Sequence, residues 1–281
     1  MKLVQKISVA WIRLRFKVLT FFSKKLAAKK AVELFCTPLL KNKKDLPAIF
    51  QNAEQLQFDL EGTTIHGFRW NHPAPRKVLI LHGFDSSAVN FEQYVNPLLD
   101  KGYEVMAFDA PAHGKSGGDI ITAPAYRDMI IAIHRKFGPI QSFVAHSMGG
   151  LALSLAVEKI NHDASYRLAF IAPATESVTA IDNFLKFLKI KNRQVRKEFD
   201  SLILAMSGKP AEWYSITRAM PAIKASVLWA HDRDDKVTPL TDALKVKEAN
   251  YTNVNFVITS GLGHRRIYRD EKVAEAVVNF L

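Results

Sequence analysis

The stretch FVAHSMGG, Phe143 to Gly150, ends an apolar run in a serine and follows it with small residues. A serine hydroxyl attacks a carbonyl only when a base removes its proton, a further group orients the base, and donors meet the charge that develops on the substrate oxygen. Small neighbours suit a sharp strand-to-helix turn that would lift Ser147 Oγ off a sheet. The plain alternative is a polar residue closing a buried strand. The rest of the chain must therefore supply a base, an acid and an oxyanion site.

Composition narrows what that chain can be. Its 281 residues are enough to bury a substantial core as one domain with or without an appendage. The single cysteine, Cys36, rules out an intrachain disulfide framework and a multi-cysteine zinc site, and agrees with a reducing, cytoplasmic setting. The formal charge of +12 is localised: residues 1–44 hold twelve Lys or Arg and one acid, leaving the rest nearly neutral. No zinc-finger spacing or RNA-binding signature appears in the body, so nucleic acid is not an expected partner. The glycines of FDAPAHGKSGG (Phe108–Gly118) do not make a phosphate loop, there is no Gly-x-Gly-x-x-Gly, and His82 has no ligand-like spacing around it. Neither a cofactor nor a metal is expected.

The basic segment MKLVQKISVAWIRLRFKVLTFFSKK begins like a signal peptide, but Arg13, Arg15 and Lys17 interrupt the apolar region and no cleavage site follows. Its charge-free runs are too short to span a bilayer. At helical spacing Val4, Ile7, Trp11, Leu14, Val18 and Phe21 form one apolar stripe, with Lys2, Lys6, Arg13, Lys17 and Lys24 largely opposite. Two placements follow. Residues 2–25 lie on an anionic membrane surface, giving a peripheral protein at the inner membrane face, or the helix packs across the main domain with its basic face in solvent. Lys41 to Asp45 reads as a polar connection into the body.

Stepping along the body, Leu56–Leu60 and Thr64–Trp70 alternate like antiparallel strands. KVLILHG (Lys77–Gly83), YEVMAF (from Tyr103), QSFVAHS (to Ser147), RLAFIAP (Arg167–Pro173), ASVLWAH (Ala225–His231) and NVNFVIT (Asn253–Thr259) read as buried strands. Helical sequence at Tyr126–Phe137 and Met148–Ile160 separates them. Strands alternating with helices argue for a mostly parallel sheet covered on both faces. Between Pro173 and Ala222, apolar residues from Phe184 to Leu204 punctuate charged helical sequence, as in a small helical cap or a long crossover. The expected organisation is an N-terminal segment 1–44, a core from 45–172 and 223–281, and a cap at 173–222. A cap would lie over the C-terminal strand ends, where open α/β sheets bind ligands.

From Leu56 to Leu281 the chain resembles the α/β-hydrolases, specifically a serine carboxylesterase or lysophospholipase-like member with a short helical cap. That resemblance implies a mostly parallel eight-stranded sheet with helices on both faces. Ala145-His146-Ser147-Met148-Gly149 matches the family's Gly-x-Ser-x-Gly, with Ala in the first Gly place. HDRDDKVTP (His231–Pro239) resembles the Gly-x-x-Asp-x-x-Val-Pro region, with His231 in the Gly place and one extra residue before Pro239. Counting back from Val237 selects Asp234 as the orienting acid, with Asp235 and then Asp232 as the alternatives. His264, in SGLGHRR after the last strand, becomes the base, and Ser147, Asp234, His264 follow the chain order of the fold. The resemblance places the oxyanion donors at the backbone N–H groups of Met148 and of Phe84 in LHGFDSS. Asp109 and His113, where the family has Asp-x-Pro-Gly-His-Gly-x-Ser, are expected to organise a loop, with Ala112 in a Gly place.

Serine at the elbow argues against dehalogenase or epoxide-hydrolase chemistry, which use aspartate there. The expected activity is hydrolysis of a carboxylic ester, small or lipid, through an acyl-enzyme. A thioesterase or amidase could use the same set, and a noncatalytic binding scaffold is the alternative of another class. Oligomeric state is not legible in the residues.

Overall fold

Runs dominated by aliphatic and aromatic residues form the strands of a covered parallel sheet, and this chain has six of them. In a computed structural model that describes residues 3–39 and 46–281, they complete an eight-stranded sheet. The strands are β1 (Glu54–Leu60), β2 (Thr63–Trp70), β3 (Arg76–Leu81), β4 (Tyr103–Phe108), β5 (Ser142–His146), β6 (Arg167–Ile171), β7 (Ser226–Asp232) and β8 (Val254–Thr259). Their order is β1-β2-β4-β3-β5-β6-β7-β8. The two opening strands pair antiparallel with each other and β2 antiparallel with β4; every other pairing is parallel. The expected α/β-hydrolase-type sheet, flanked by helices and interrupted by a small helical insertion, is what the chain forms.

Burial follows the pattern. β4 and β5 are buried at every position, whereas β1 alternates as an edge strand with one solvated face. On one face of the sheet Val78, Ile80, Val144, Ala169 and Ile171 pack with Phe91, Tyr94, Val273 and Val277 from its helices. The helix Met148–Val157 is buried from Gly149 onward, which explains its small and apolar composition. The helix at Tyr126–Phe137 begins earlier than its periodicity predicts, at Ala123. Thr122 caps it by accepting from the Ala125 N–H, and Pro124 is tolerated in the first turn.

Register sets the site. Leu81 pairs with Ala145, His146 with Ile171, and Asp232 with Thr259. The residues that follow β3, β5, β7 and β8 therefore emerge together at the C-terminal edge of the sheet.

A second compact unit joins residues up to Thr37 with Ser177–Tyr214. Two N-terminal helices, α1 (Leu3–Phe22) and α2 (Lys24–Cys36), share a core there with the insertion's helices Ser177–Phe187 and Arg193–Ser207. Ala27, Ala28 and Ala31 are fully buried, so α2 packs closely against Val195 and Phe199, and Phe35 meets the rings of Phe184 and Phe199. Burial pushes the Cys36 thiol up to about 11, making it an inert core residue.

The expectation of membrane association is corrected here. No described helix is long and apolar enough to cross a membrane. The face of α1 that finds apolar partners carries Ile12, Phe16 and Leu19, and it packs into this protein core. Trp11, Leu14, Val18 and Phe21 of the predicted stripe are exposed, so the stripe is not the face through which α1 packs. Lys2, the side chains of Val4, Lys6 and Ile7, and the connection Lys41–Asp45 lie outside the described residues.

Candidate active site

Strand β5 runs buried into His146, and the helix Met148–Val157 starts immediately beyond Ser147. A strand can turn into a helix within one residue only by reversing its backbone sharply. Ser147 does so at φ 54° and ψ −121°, a region that a residue with a side chain adopts only at a cost. Glycines hold the turn in place. A Cβ on Gly149 would lie 2.7 Å from the His82 carbonyl oxygen, one on Gly150 would lie 2.6 Å from Pro173 Cβ, and one on Gly83 would lie 2.8 Å from Ser147 Cβ. Ala145 is within β5, two residues before the bend at Ser147, where a methyl group is buried without forcing the turn. The departure from Gly-x-Ser-x-Gly thus falls outside the tightest contacts.

The predicted base reaches the predicted nucleophile. His264 sits on the short helix Gly263–Arg266 after β8, entered through Gly261 and Gly263, both at positive φ. Its Nε2 lies 3.0 Å from Ser147 Oγ, and its Nδ1 lies 2.8 Å from a carboxylate.

That carboxylate belongs to Asp235, and the expectation of Asp234 is corrected. Strand β7 continues through Asp232, one residue past the strand end expected at His231. Asp232, not His231, therefore occupies the place before the turn. Its carboxylate is tied into the neighbouring loop by the Asp234, Leu262 and Gly263 N–H groups and the Thr259 hydroxyl. Asp234 turns outward, exposed, and accepts from the Gly261 N–H at 2.7 Å. Asp235 turns inward, where Oδ1 accepts from the Val237 and Thr238 N–H groups at 2.8 and 2.9 Å, and Oδ2 faces His264. The usable signal was the distance to Pro239: three residues separate it from Asp235. Thr238 carries no distinguishing signal in the sequence. Its hydroxyl is 2.9 Å from Asp235 Oδ2 and 3.1 Å from His264 Nδ1, and only the loop's fold reveals that contact.

Electrostatics favour an ionised Asp235. Burial pushes its carboxyl up, but the His264 ring and the two N–H donors outweigh burial and leave the pKa below the ordinary carboxylate value. The arrangement fixes the tautomer of His264: Nδ1–H donates to Asp235, leaving Nε2 to accept from Ser147.

The loop after β3 lies against the serine. His82 Nδ1–H donates to the Gly83 carbonyl at 2.7 Å, and its Nε2 accepts from the Ala110 N–H at 2.9 Å. Asp109 accepts from the Ala88 and Lys115 N–H groups, and His113 Nε2 accepts from the Asp85 N–H. Asp109 and His113 therefore brace the loop that contains Phe84. Ala112 adopts φ 64° in its Gly place. Neither the Phe84 nor the Met148 N–H has an acceptor among the described residues. Among those residues, no group of three His, Cys, Asp or Glu is arranged to hold a metal ion.

The alpha/beta hydrolase family model matches residues 78–276, most of the chain and all of the site just described. The chain belongs to the alpha/beta hydrolase family. It is 32% identical over 108 residues to the uncharacterized hydrolase YugF of Bacillus subtilis, covering 37% of this chain and 39% of YugF. It is 22% identical over 219 residues to the uncharacterized protein YqkD of the same organism, covering 71% of this chain and 70% of YqkD. Among solved structures it resembles the Pyrococcus furiosus esterase Pf2001, with a TM-score of 0.66 at 20% identity over 87% of this chain and 98% of that one. That last similarity speaks for the fold.

Two outcomes follow from this geometry. Glycine adopts the elbow conformation without strain whereas alanine, like serine, does so at a cost, so Ser147→Gly is expected to be about 1–3 kcal/mol more stable than Ser147→Ala in urea unfolding. Equal stabilities would show that the turn is unstrained. The second concerns pH. Burial pushes His82 and His113 from 6.5 down to about 4. Between these values the unfolded chain binds protons that the folded one does not, so stability falls as pH drops from 6.5 toward 4 and is fully present above 6.5. Unfolding midpoints across that window measure it, and an unchanged or rising stability would contradict the buried neutral assignment.

Proposed function

We propose that the protein is a serine hydrolase that cleaves carboxylic esters through an acyl-enzyme. The observation that carries this reading is the continuous set Ser147 Oγ, His264 Nε2 at 3.0 Å, His264 Nδ1, and Asp235 Oδ2 at 2.8 Å. Ser147 attacks the acyl carbonyl as His264 takes its proton, and Asp235 stabilises the imidazolium that forms. The negative charge that moves onto the carbonyl oxygen is met by the Phe84 and Met148 N–H groups. Met148 also lies at the N-terminus of a helix, where the backbone dipoles favour negative charge. Each such donor contributes roughly 3 kcal/mol in the transition state. His264 then returns the proton to the leaving alkoxide oxygen, and the alcohol departs. Water, deprotonated by the same imidazole, releases the acid and restores Ser147.

The esterase Pf2001 shares the fold over nearly its whole length, which supports an ester as the substrate class. A small-molecule or a lipid ester fits this chemistry equally. The complete Ser–His–carboxylate geometry counts against the noncatalytic scaffold, which has no need to align three such groups.

The test is hydrolysis of p-nitrophenyl esters over a range of acyl chain lengths, with fluorophosphonate labelling alongside. Wild type is expected to turn over at least one ester and to be labelled at Ser147. In Ser147→Ala, kcat is expected to fall on the order of 10⁴-fold or more, and the label is lost. A wild-type chain that hydrolyses no ester and takes no label would overturn the reading.

A further inference from the structure

We infer that His146 and His231, two buried histidines outside the Ser147–His264–Asp235 set, are positioning residues that each strap one of the loops carrying the base and the acid. The inference rests on the catalytic reading above for its meaning and on hydrogen-bond geometry for its evidence.

His231 is fully buried on β7. The Trp229 indole N–H, which can only donate, lies 3.2 Å from His231 Nδ1. Nδ1 must therefore be bare and the ring proton must be on Nε2. That proton points at the Thr238 carbonyl oxygen, 2.7 Å away. Thr238 is the residue whose N–H holds Asp235 Oδ1 and whose hydroxyl touches Asp235 Oδ2. His231 Nε2 itself is 3.9 Å from Asp235 Oδ2, so it acts on the acid through Thr238.

His146 does the same for the base. Its Nε2 lies 3.1 Å from the backbone oxygen of His264, and a carbonyl can only accept, so the proton is again on Nε2. The ring packs between those of Tyr268 and His264, with centroids 4.5 and 4.7 Å away. Its Nδ1 is buried and has no partner among the described residues. A Cβ on Gly83 would lie 2.9 Å from that nitrogen, so the loop after β3 closes over it.

The two rings share a logic. Each is neutral, each is locked in the Nε2–H tautomer, and each donates to a carbonyl of a triad-bearing loop. Among the described residues neither has an acceptor for a proton on Nδ1, because an indole N–H faces one and the Gly83 backbone closes over the other. The competing role is that of a core filler, for which any apolar side chain of similar size would serve.

Leucine and glutamine separate the two roles. Glutamine can place an amide N–H near the position of His Nε2, whereas leucine fills the space without a donor. Four variants are compared: His231→Leu, His231→Gln, His146→Leu and His146→Gln. The leucine variants are expected to lose about 10–100-fold in kcat on a p-nitrophenyl ester with KM little changed. The glutamine variants are expected to recover most of that loss even where they are less stable in urea than the leucine ones. A second readout does not need turnover: the downfield proton resonance of His264 Nδ1–H bonded to Asp235. It is expected in wild type and His231→Gln and to be broadened or absent in His231→Leu. If wild type shows that resonance with this pattern but cleaves no ester, the proposed function fails and the positioning role stands. If leucine and glutamine variants behave alike in the resonance, or leucine retains wild-type kcat, the two histidines are core fillers and the inference is overturned.

Discussion

Burying an ionised carboxylate costs several kcal/mol unless its oxygens are met by donors, and Asp235 is the point around which this site is built. Its two oxygens take the Val237 and Thr238 N–H groups, the Thr238 hydroxyl and the His264 ring. Three of those donors come from within the Asp232–Pro239 turn, so the turn must close tightly upon its own side chain. Closing it leaves Asp232 to tie the turn to the loop after β8, through Thr259, Leu262 and Gly263. The acid and the base are thereby fixed to each other before either meets Ser147.

The nucleophile is positioned by sterics of a different kind. The strand-to-helix bend exists because Gly83, Gly149 and Gly150 leave room for backbone and neighbouring side chains where a methyl group would collide. The Phe84 and Met148 N–H groups, next in sequence to Gly83 and to the strained serine, have no acceptor among the described residues. His82, Asp109 and His113 give this loop its shape through hydrogen bonds to backbone, so their contribution to the reaction lies in geometry. The unsatisfied donors at the turn and the fully satisfied carboxylate of Asp235 are complementary: charge that appears during attack has a place on both sides.

Much of this was legible in the residues. All eight strands follow from apolar runs and alternation; Ser147 closes one such run and is followed by Gly149 and Gly150, and His264 lies beyond another, in a loop entered through Gly261 and Gly263. The acid stands one position beyond the one counted back from Val237, because three aspartates crowd the turn and the extra Thr238 puts Val237 out of register with the acid while Pro239 keeps it; β7 also runs one residue beyond its apolar stretch. A carboxylate can continue a strand when the next loop supplies donors, as Asp232 does, and apolar patterning carries no signal for that. The N-terminal helix failed for a related reason. Helical spacing identifies an apolar stripe, but which face packs is decided by the partner, here the insertion helices more than 150 residues away in sequence. Thr238, His231 and Trp229 act through contacts that exist only once the turn has closed, and their spacing alone has no distinguishing pattern.

The aspartate that faces His264 decides how the site works. The direct measurement is kcat on a p-nitrophenyl ester for Asp235→Asn beside Asp234→Asn, with folding of each verified by urea unfolding. Asparagine at 235 keeps the shape but presents the wrong partner to His264 Nδ1, and kcat is expected to fall on the order of 10⁴-fold. Asparagine at 234 removes charge from an exposed side chain that accepts from the Gly261 N–H and, among the described residues, does not touch His264, and activity should remain near that of the wild type. The reverse ranking, or equal losses in two well-folded variants, would contradict the arrangement of Ser147, His264 and Asp235.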